Sequence, residues 1–241
     1  MTEGQIRYEA ADGIAIITID RPAKRNALTS AMCADLHAAW QRFAASNDVR
    51  VAILTAAGND IFTAGADLND PPPHFWQAVP NIGVPVSKPI ITAVSGPVIG
   101  AGVTMVAMSD LCIAADSTRF IYPEAKVGIA LGLVSSIATR IPQKIAMELL
   151  VLGEPISAER AYQVGLVNRV VPTGQHVDTA MQMARTIAAN AQPAQQSEQH
   201  DRDEQQEWRV GIDEPGQDHL RGIDRGRDPG RQREAAAYRR R

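Results

Sequence analysis

The stretch FTAGADL, residues 62–68, follows shortly after the apolar run VAILTAAG, residues 51–58, and is built of small residues around Gly65. The apolar run is typical of a strand that is buried on both faces. A turn with almost no side chains after such a strand leaves backbone N–H groups accessible to a bound molecule. We therefore expect an exposed backbone amide in this turn.

The pattern of apolar residues along the chain predicts alternating strands and helices. Short runs rich in Ile and Val indicate buried strands, and a helical spacing of apolar residues follows a possible cap at Thr29 or Ser30. Strand, helix, strand is the order of a layered α/β fold. The predicted strands cover residues 13–19, 51–55, 89–94 and 111–115, and the predicted helices cover residues 30–45, 101–108, 143–151 and 175–190.

The composition argues against nucleic-acid and membrane partners. The 241 residues carry a formal net charge of -3 and a pI near 6.0, so no basic field is expected. No apolar run reaches the roughly 18 residues of a membrane span, and no signal peptide is recognisable, so we expect a cytoplasmic protein.

Cys33 and Cys112 lie in apolar sequence and are interpreted as core residues. The five histidines show no ligand spacing, so no metal is expected.

Two segments interrupt the regular pattern. Residues 69–85 are rich in proline and are predicted to form a surface excursion, with His74, Phe75 and Trp76 as exposed loop aromatics or, alternatively, along the path of a bound chain. Residues 191–241 hold ten of the twenty arginines and none of the four lysines, with few apolar residues. We interpret them as a disordered tail after a core of residues 1–190; an out-of-frame translation would explain the same composition.

Five stretches of the chain occur in a specific order and spacing. They are RPAKRNAL (21–28), FTAGADL (62–68), VSGPVIGAGVTMVAMSDLCIAAD (94–116), FIYPEAKVGIALG (120–132) and AMELLVLGEPISAERAYQVGLVNRVVP (146–172). Together they resemble the crotonase family, also called the enoyl-CoA hydratase/isomerase family, over roughly residues 5–190. The resemblance implies a spiral of repeated ββα units, an acyl-CoA thioester substrate, and no metal or redox cofactor.

The resemblance also implies an oxyanion hole. Enolates formed from acyl thioesters carry negative charge on the thioester oxygen, which fixed N–H donors stabilise. The family places these donors at Ala66 and at Ala101, where glycine is more usual, and the helix after Gly100 adds its dipole. An isolated small-residue turn would more simply serve close packing, but two such turns together favour the functional interpretation.

Proton transfer at such a site needs an acid or base. Hydratases of the family carry two glutamates; here Glu124 matches the second, and Thr104 replaces the first. Threonine cannot accept a proton near neutral pH, whereas one glutamate can move a proton between two carbons. We therefore favour double-bond isomerisation over hydration. The alternative for Glu124 is an idle acid at a helix start after Pro123.

The remaining assignments concern coenzyme A and the substrate. The resemblance places Arg25, Ala27 and Leu28 at the coenzyme A moiety, with backbone carbonyls at the adenine and a basic side chain near the phosphates. Asp67 is expected to stabilise the oxyanion turn rather than to contact substrate. The other predicted substrate-binding positions are Ala64, Leu68 and Gly100.

Two other function classes stay open, together with the oligomeric state. An acyl-CoA-binding protein without useful catalysis is one, because residues 191–241 carry no helix pattern that could replace the family's C-terminal helices. Thioester hydrolysis with Glu124 activating water is the other. The resemblance implies a homotrimer or hexamer, which the same segment puts in question, and the identity of the acyl group is open.

Overall fold

The computed structural model describes residues 4–128 and 134–190. The predicted tail, residues 191–241, lies outside the described residues. The strands are β1 (Gln5–Ala11), β2 (Ile14–Asp20), β3 (Val51–Ala56), β4 (Ile90–Val94), β5 (Pro97–Ile99), β6 (Leu111–Ala115), β7 (Arg119–Ile121), β8 (Ile156–Ser157) and β9 (Arg169–Val171). The α-helices are α1 (Ser30–Ala45), α2 (Ala101–Met108), α3 (Val134–Ala138), α4 (Gln143–Met147), α5 (Ala158–Gln163) and α6 (His176–Ala189).

Two sheets organise these elements. A six-stranded sheet has the order β1-β2-β3-β4-β6-β9, in which β1 is antiparallel to β2 and the other neighbours are parallel. A three-stranded sheet has the order β5-β7-β8. Strands and helices alternate along the chain as the sequence predicts, which confirms the layered α/β architecture.

The central strands of the large sheet are buried on both faces. In β3, Leu54 belongs to the core that includes α1, and its neighbour Ile53 belongs to a second core with α6, because successive side chains point to opposite faces. Helix α1 buries Trp40 completely, and its indole Nε1 donates to the carbonyl of Ala78 at 2.9 Å. The Thr29 side chain caps α1 by accepting from the amide of Met32.

The structure corrects two predictions. The helix predicted over residues 143–151 is α4 followed by a π-helical turn, Glu148–Leu152, which ends at Gly153 with a φ of 62°. Phe75 was expected among exposed aromatics, yet it is buried in a short 3-10 helix, Phe75–Ala78. Burial against the core outweighs the loop-like composition of this segment, whereas Trp76 is 44% exposed, as expected.

The described helices are all too short or too polar to cross a membrane. The cytoplasmic location stays a prediction.

Candidate active site

The two small-residue turns of the sequence lie against each other. The amide of Phe62 donates to the carbonyl of Pro97 at 3.1 Å, and the amide of Ile99 donates to the carbonyl of Thr63 at 3.0 Å. Gly65 has a φ of +85°, and a Cβ built on it would lie 3.3 Å from the oxygen of Ile99 and 4.0 Å from the amide nitrogen of Ala101. Glycine is therefore required at position 65 by conformation and by close approach.

The turns leave two backbone amides free. Within the described part of the chain, the N–H groups of Ala66 and Ala101 donate no hydrogen bond. Ala101 is the first residue of α2, where a helix has unpaired N–H groups, and Gly100 before it has a φ of 57°. The structure thus brings the predicted oxyanion-hole residues to adjoining turns, and their role stays a prediction.

Polar residues that the sequence analysis missed hold the first turn in place. Asn26 is fully buried, and its side-chain nitrogen donates to the carbonyl of Ile61 at 2.9 Å. The Thr63 hydroxyl donates to the carbonyl of Asn26 at 2.7 Å and accepts from the amide of Gly65 at 3.1 Å. The sequence signal that could have identified them is a polar side chain inside a motif of small residues, Asn26 in RPAKRNAL and Thr63 in FTAGADL.

Asp67 is held by an ion pair within the protein. Its carboxylate lies 2.6 Å from the Arg21 guanidinium, with the two side chains 12% and 16% exposed. Arg21 also donates to the carbonyl of Ala27 at 3.1 Å. The hydrogen bond from Arg21, with a further one from the amide of Asn69, keeps the pKa of Asp67 below its ordinary value. This arrangement agrees with a supporting role for Asp67, and the sequence analysis missed Arg21.

The predicted coenzyme A segment leads into the same turn. The carbonyl of Arg25 accepts from the amide of Ala64, and the carbonyl of Leu28 accepts from the amide of Asp67. Arg25 is exposed, whereas Leu28 is fully buried, and its backbone N–H and carbonyl are bonded to Gly65 and Asp67. Leu68, by contrast, is 87% exposed. Contacts with coenzyme A stay predictions.

Glu124 lies against the second turn. It begins a short 3-10 helix, Glu124–Val127, after Pro123. A Cβ built on Gly100 would lie 2.6 Å from its Oε1, so the carboxylate packs on the bare Cα of that glycine. Its Oε2 is buried and makes no hydrogen bond within the described residues. Burial raises the pKa of Glu124, while its own backbone N–H opposes the shift. A half-buried carboxyl with one buried, unpaired oxygen at the Gly100 turn fits a proton carrier.

Two residues with hydroxyl groups flank the Gly100 turn on which Glu124 packs. Thr104 is fully buried on α2, one helical turn after Gly100, and its Oγ1 makes no hydrogen bond within the described residues. The phenol of Tyr122 is 3% exposed. Burial, with the charge of Glu124, raises the pKa of Tyr122 to about 12, and the neighbouring Thr104 hydroxyl opposes this shift. The sequence analysis missed Tyr122, although it stands directly before Pro123.

Other candidate groups are placed away from this chemistry. Cys33 and Cys112 are free and buried, and burial raises the pKa of the Cys33 thiol to about 12, which suits core residues. Within residues 4–128 and 134–190, no group of three or more His, Cys, Asp or Glu side chains could hold a metal ion. The expectation of no cofactor stays untested by this observation.

Known proteins resemble the chain over most of its length. A family model described as Enoyl-CoA hydratase/isomerase matches residues 9–209. The chain is 36% identical to (E)-benzylidenesuccinyl-CoA hydratase of Thauera aromatica over 197 residues, 77% of each chain, and 31% identical to 2,3-dehydroadipyl-CoA hydratase of Escherichia coli over 76% of each. A crystal structure of carnitinyl-CoA hydratase from Mycobacterium avium aligns with a TM-score of 0.77 and 33% identity, covering 83% of this chain and 81% of that one. These findings confirm the predicted fold class.

Proposed function

Because the chain belongs to the enoyl-CoA hydratase/isomerase family, we propose that it moves the double bond of an enoyl-CoA, with Glu124 as the single base. The observation that carries this proposal is the contrast between two side chains facing the Gly100 turn. Glu124 offers a buried, unpaired carboxylate oxygen, whereas the position of the family's other glutamate holds the hydroxyl of Thr104. A hydroxyl can orient a group but cannot take up a proton near neutral pH.

In the proposed first step, the substrate thioester oxygen accepts hydrogen bonds from the amides of Ala66 and Ala101. The free N–H groups and the start of α2 stabilise negative charge that develops on this oxygen. Donors of this kind need no particular side chain, so alanine at position 101 is compatible with the role. Each donor contributes about 10² to 10³ in rate in comparable enzymes.

The proton then moves between two carbons of the acyl chain. The Glu124 carboxylate removes a proton from the α-carbon of a 3-enoyl-CoA, which leaves a dienolate with its charge on the thioester oxygen. The resulting carboxylic acid returns the proton to the γ-carbon, and a 2-enoyl-CoA forms. No atom is gained or lost, and the base is regenerated. Burial suits this exchange because it brings the pKa of the carboxyl closer to neutrality.

Hydration of a 2-enoyl-CoA is the second candidate. Relatives such as the Thauera aromatica and Escherichia coli proteins are named hydratases, which favours it. In that reaction Glu124 would exchange a proton with the substrate while Thr104 orients the attacking water. The absence of a glutamate at position 104 argues that hydration is the slower of the two reactions.

The experiment is to incubate the protein separately with a 3-enoyl-CoA and a 2-enoyl-CoA in water labelled with heavy oxygen, to separate the two isomers by chromatography, and to follow products by mass spectrometry. Isomerisation gives a product of unchanged mass, whereas hydration adds one labelled water. We expect faster conversion of the 3-enoyl-CoA, and none with the Glu124→Gln variant. Faster hydration would reverse the ranking, and the same two substrates left unchanged, despite measurable binding, would favour the non-catalytic acyl-CoA-binding protein.

A further inference from the structure

Two side chains at the Gly100 turn, one on α2 and one on the 3-10 helix Glu124–Val127, each leave a buried polar atom without a hydrogen-bond partner. The Oγ1 of Thr104 and the Oε2 of Glu124 are both buried and unpaired within the described residues. Buried polar atoms are nearly always paired in folded proteins, so two exceptions in one place require an explanation. Tyr122 is also buried, and the charge of Glu124 and the hydroxyl of Thr104 both act on the pKa of its phenol.

Backbone geometry brings these side chains together. Thr104 follows Gly100 by four residues on α2, so it lies on the same helix face as the turn on which Glu124 packs. The amide of Gly100 donates to the carbonyl of Ile121 at 2.8 Å, which holds the end of β7 at this turn. Tyr122 is the next residue, so the main chain places it at the same turn.

The phenol is a hydrogen-bond donor under all ordinary conditions. Burial, reinforced by the charge of Glu124, raises the pKa of Tyr122 to about 12, so the phenol keeps its proton whenever Glu124 titrates. The Thr104 hydroxyl lies close enough to lower this pKa, yet no hydrogen bond of ordinary geometry joins the two groups. Forming one requires a change in the side-chain position of Thr104 or Tyr122, and not only in the direction of their hydroxyl hydrogens.

We propose that Tyr122 and Thr104 form a donor pair that holds the Glu124 carboxylate in its ionised state and in its reactive orientation. The phenol donates to the Thr104 hydroxyl, and that hydroxyl donates to Oε2 of Glu124. Tyr122 is thus a positioning residue that acts through Thr104. This inference rests on the proposed role of Glu124 as the base.

The pair has the opposite electrostatic effect from a second glutamate. Two carboxylates in one pocket raise the pKa of one of them, because both cannot easily be charged. Donated hydrogen bonds stabilise the charged form and lower the pKa, which offsets part of the effect of burial. The replacement of a glutamate by Thr104 thereby favours a base that is ionised near neutral pH.

Other charged groups near Glu124 do not provide this donor. Lys126 lies on the same 3-10 helix, with its side chain extending towards Gly153. Glu148 is on the π-helical turn that packs against this helix, and Asp67 is held by Arg21. None of these groups contributes to the raised pKa of Glu124.

The test is the pH dependence of tritium release from butyryl-CoA labelled at the α-carbon. In the parent protein the rate rises with pH as Glu124 ionises. We expect Thr104→Val to move this rise by about one pH unit to higher pH, because the charged form loses its donor. We expect Tyr122→Phe to move it in the same direction by a smaller amount, because the Thr104 hydroxyl loses the group that orients it. The double variant is expected to move it no further than Thr104→Val does, since the two hydroxyls act in series. Thr104→Ser is expected to restore the parent profile.

The control is Tyr162→Phe, which removes a phenol that is 51% exposed. The inference is overturned if the rate of tritium release rises at the parent pH in both Tyr122→Phe and Thr104→Val, even when the maximal rate falls. An equal shift in Tyr162→Phe overturns it too. Glu124→Gln distinguishes a failure of this inference from a failure of the proposed function. Full tritium release in Glu124→Gln would show that Glu124 is not the base. Loss of release in Glu124→Gln, together with unshifted pH profiles in Tyr122→Phe and Thr104→Val, would refute only the donor pair.

Discussion

The oxyanion turns, residues 64–67 and 99–101, and the acid pocket, which consists of Thr104, Tyr122 and Glu124, share one wall at Gly100 but are built differently. The turns are held by a dense set of backbone and side-chain hydrogen bonds in which two amides are left free. The acid pocket contains buried polar atoms without partners. Under the proposed function, the turns would supply charge stabilisation common to many acyl-CoA reactions, whereas the pocket would decide which proton moves.

The largest effect is expected from Glu124→Gln, which removes the base and leaves the turns unchanged. The rate of α-proton exchange should fall by about 10² to 10⁴. Acyl-CoA affinity, measured by calorimetry, should change by no more than roughly twofold, because the amide keeps the shape of the carboxylate. Full exchange activity in this variant would break the division between the two regions.

Gly100→Ala tests the wall that the regions share. The new Cβ would lie 2.6 Å from Oε1 of Glu124, so the carboxylate must move, and the exchange rate should fall by about 10². Gly58→Ala is the matched control: Gly58 has a φ of +83° and no atom within 4 Å of an added Cβ, so backbone strain acts there without a contact. Equal losses of activity in the two variants would attribute the effect to strain alone.

Arg21→Met acts on the turns and leaves the acid pocket intact. It removes the ion pair with Asp67, so the turn carrying the Ala66 amide should be held less firmly and kcat should fall by about tenfold. The pH at which the rate rises should not change, because Glu124 is untouched. Arg7→Met, which removes a more exposed pair with Asp20, is the control and should keep parent activity. A shifted pH profile in Arg21→Met would contradict the separation.

The smallest effect concerns stability and again separates the regions. Below the ordinary pKa of a glutamate, both the folded and the unfolded state hold the proton, and the burial of the Glu124 carboxyl does not lower the free energy of unfolding through its charge. Above it the unfolded state loses its proton first, so the free energy of unfolding falls as the pH rises, and it stays at the lower value once the pH exceeds the raised pKa of the folded state. Glu124→Gln should therefore raise Tm at neutral pH, with the difference vanishing in acid. A constant difference at all pH values in thermal melts would contradict it.

The strands β2, β3, β4 and β6 and the helices α1, α2 and α6 could be predicted because they carry strong apolar patterns. Strands such as β5 and β7 are only three residues long and give no periodic signal, although they hold the Gly100 turn. The π-helical turn after α4 was missed because its apolar spacing resembles that of an ordinary helix.

The sequence by itself determined the family, the small-residue turns, Glu124 as the candidate base and the replacement at Thr104, since each depends on residue types in a local order. The tertiary structure decided that Arg21 pairs with Asp67, that Glu124 packs on Gly100, and that Tyr122 joins the acid pocket. These contacts link residues from separate stretches of the chain. Distance and burial, which set their energies and pKa values, exist only once the strands are folded together.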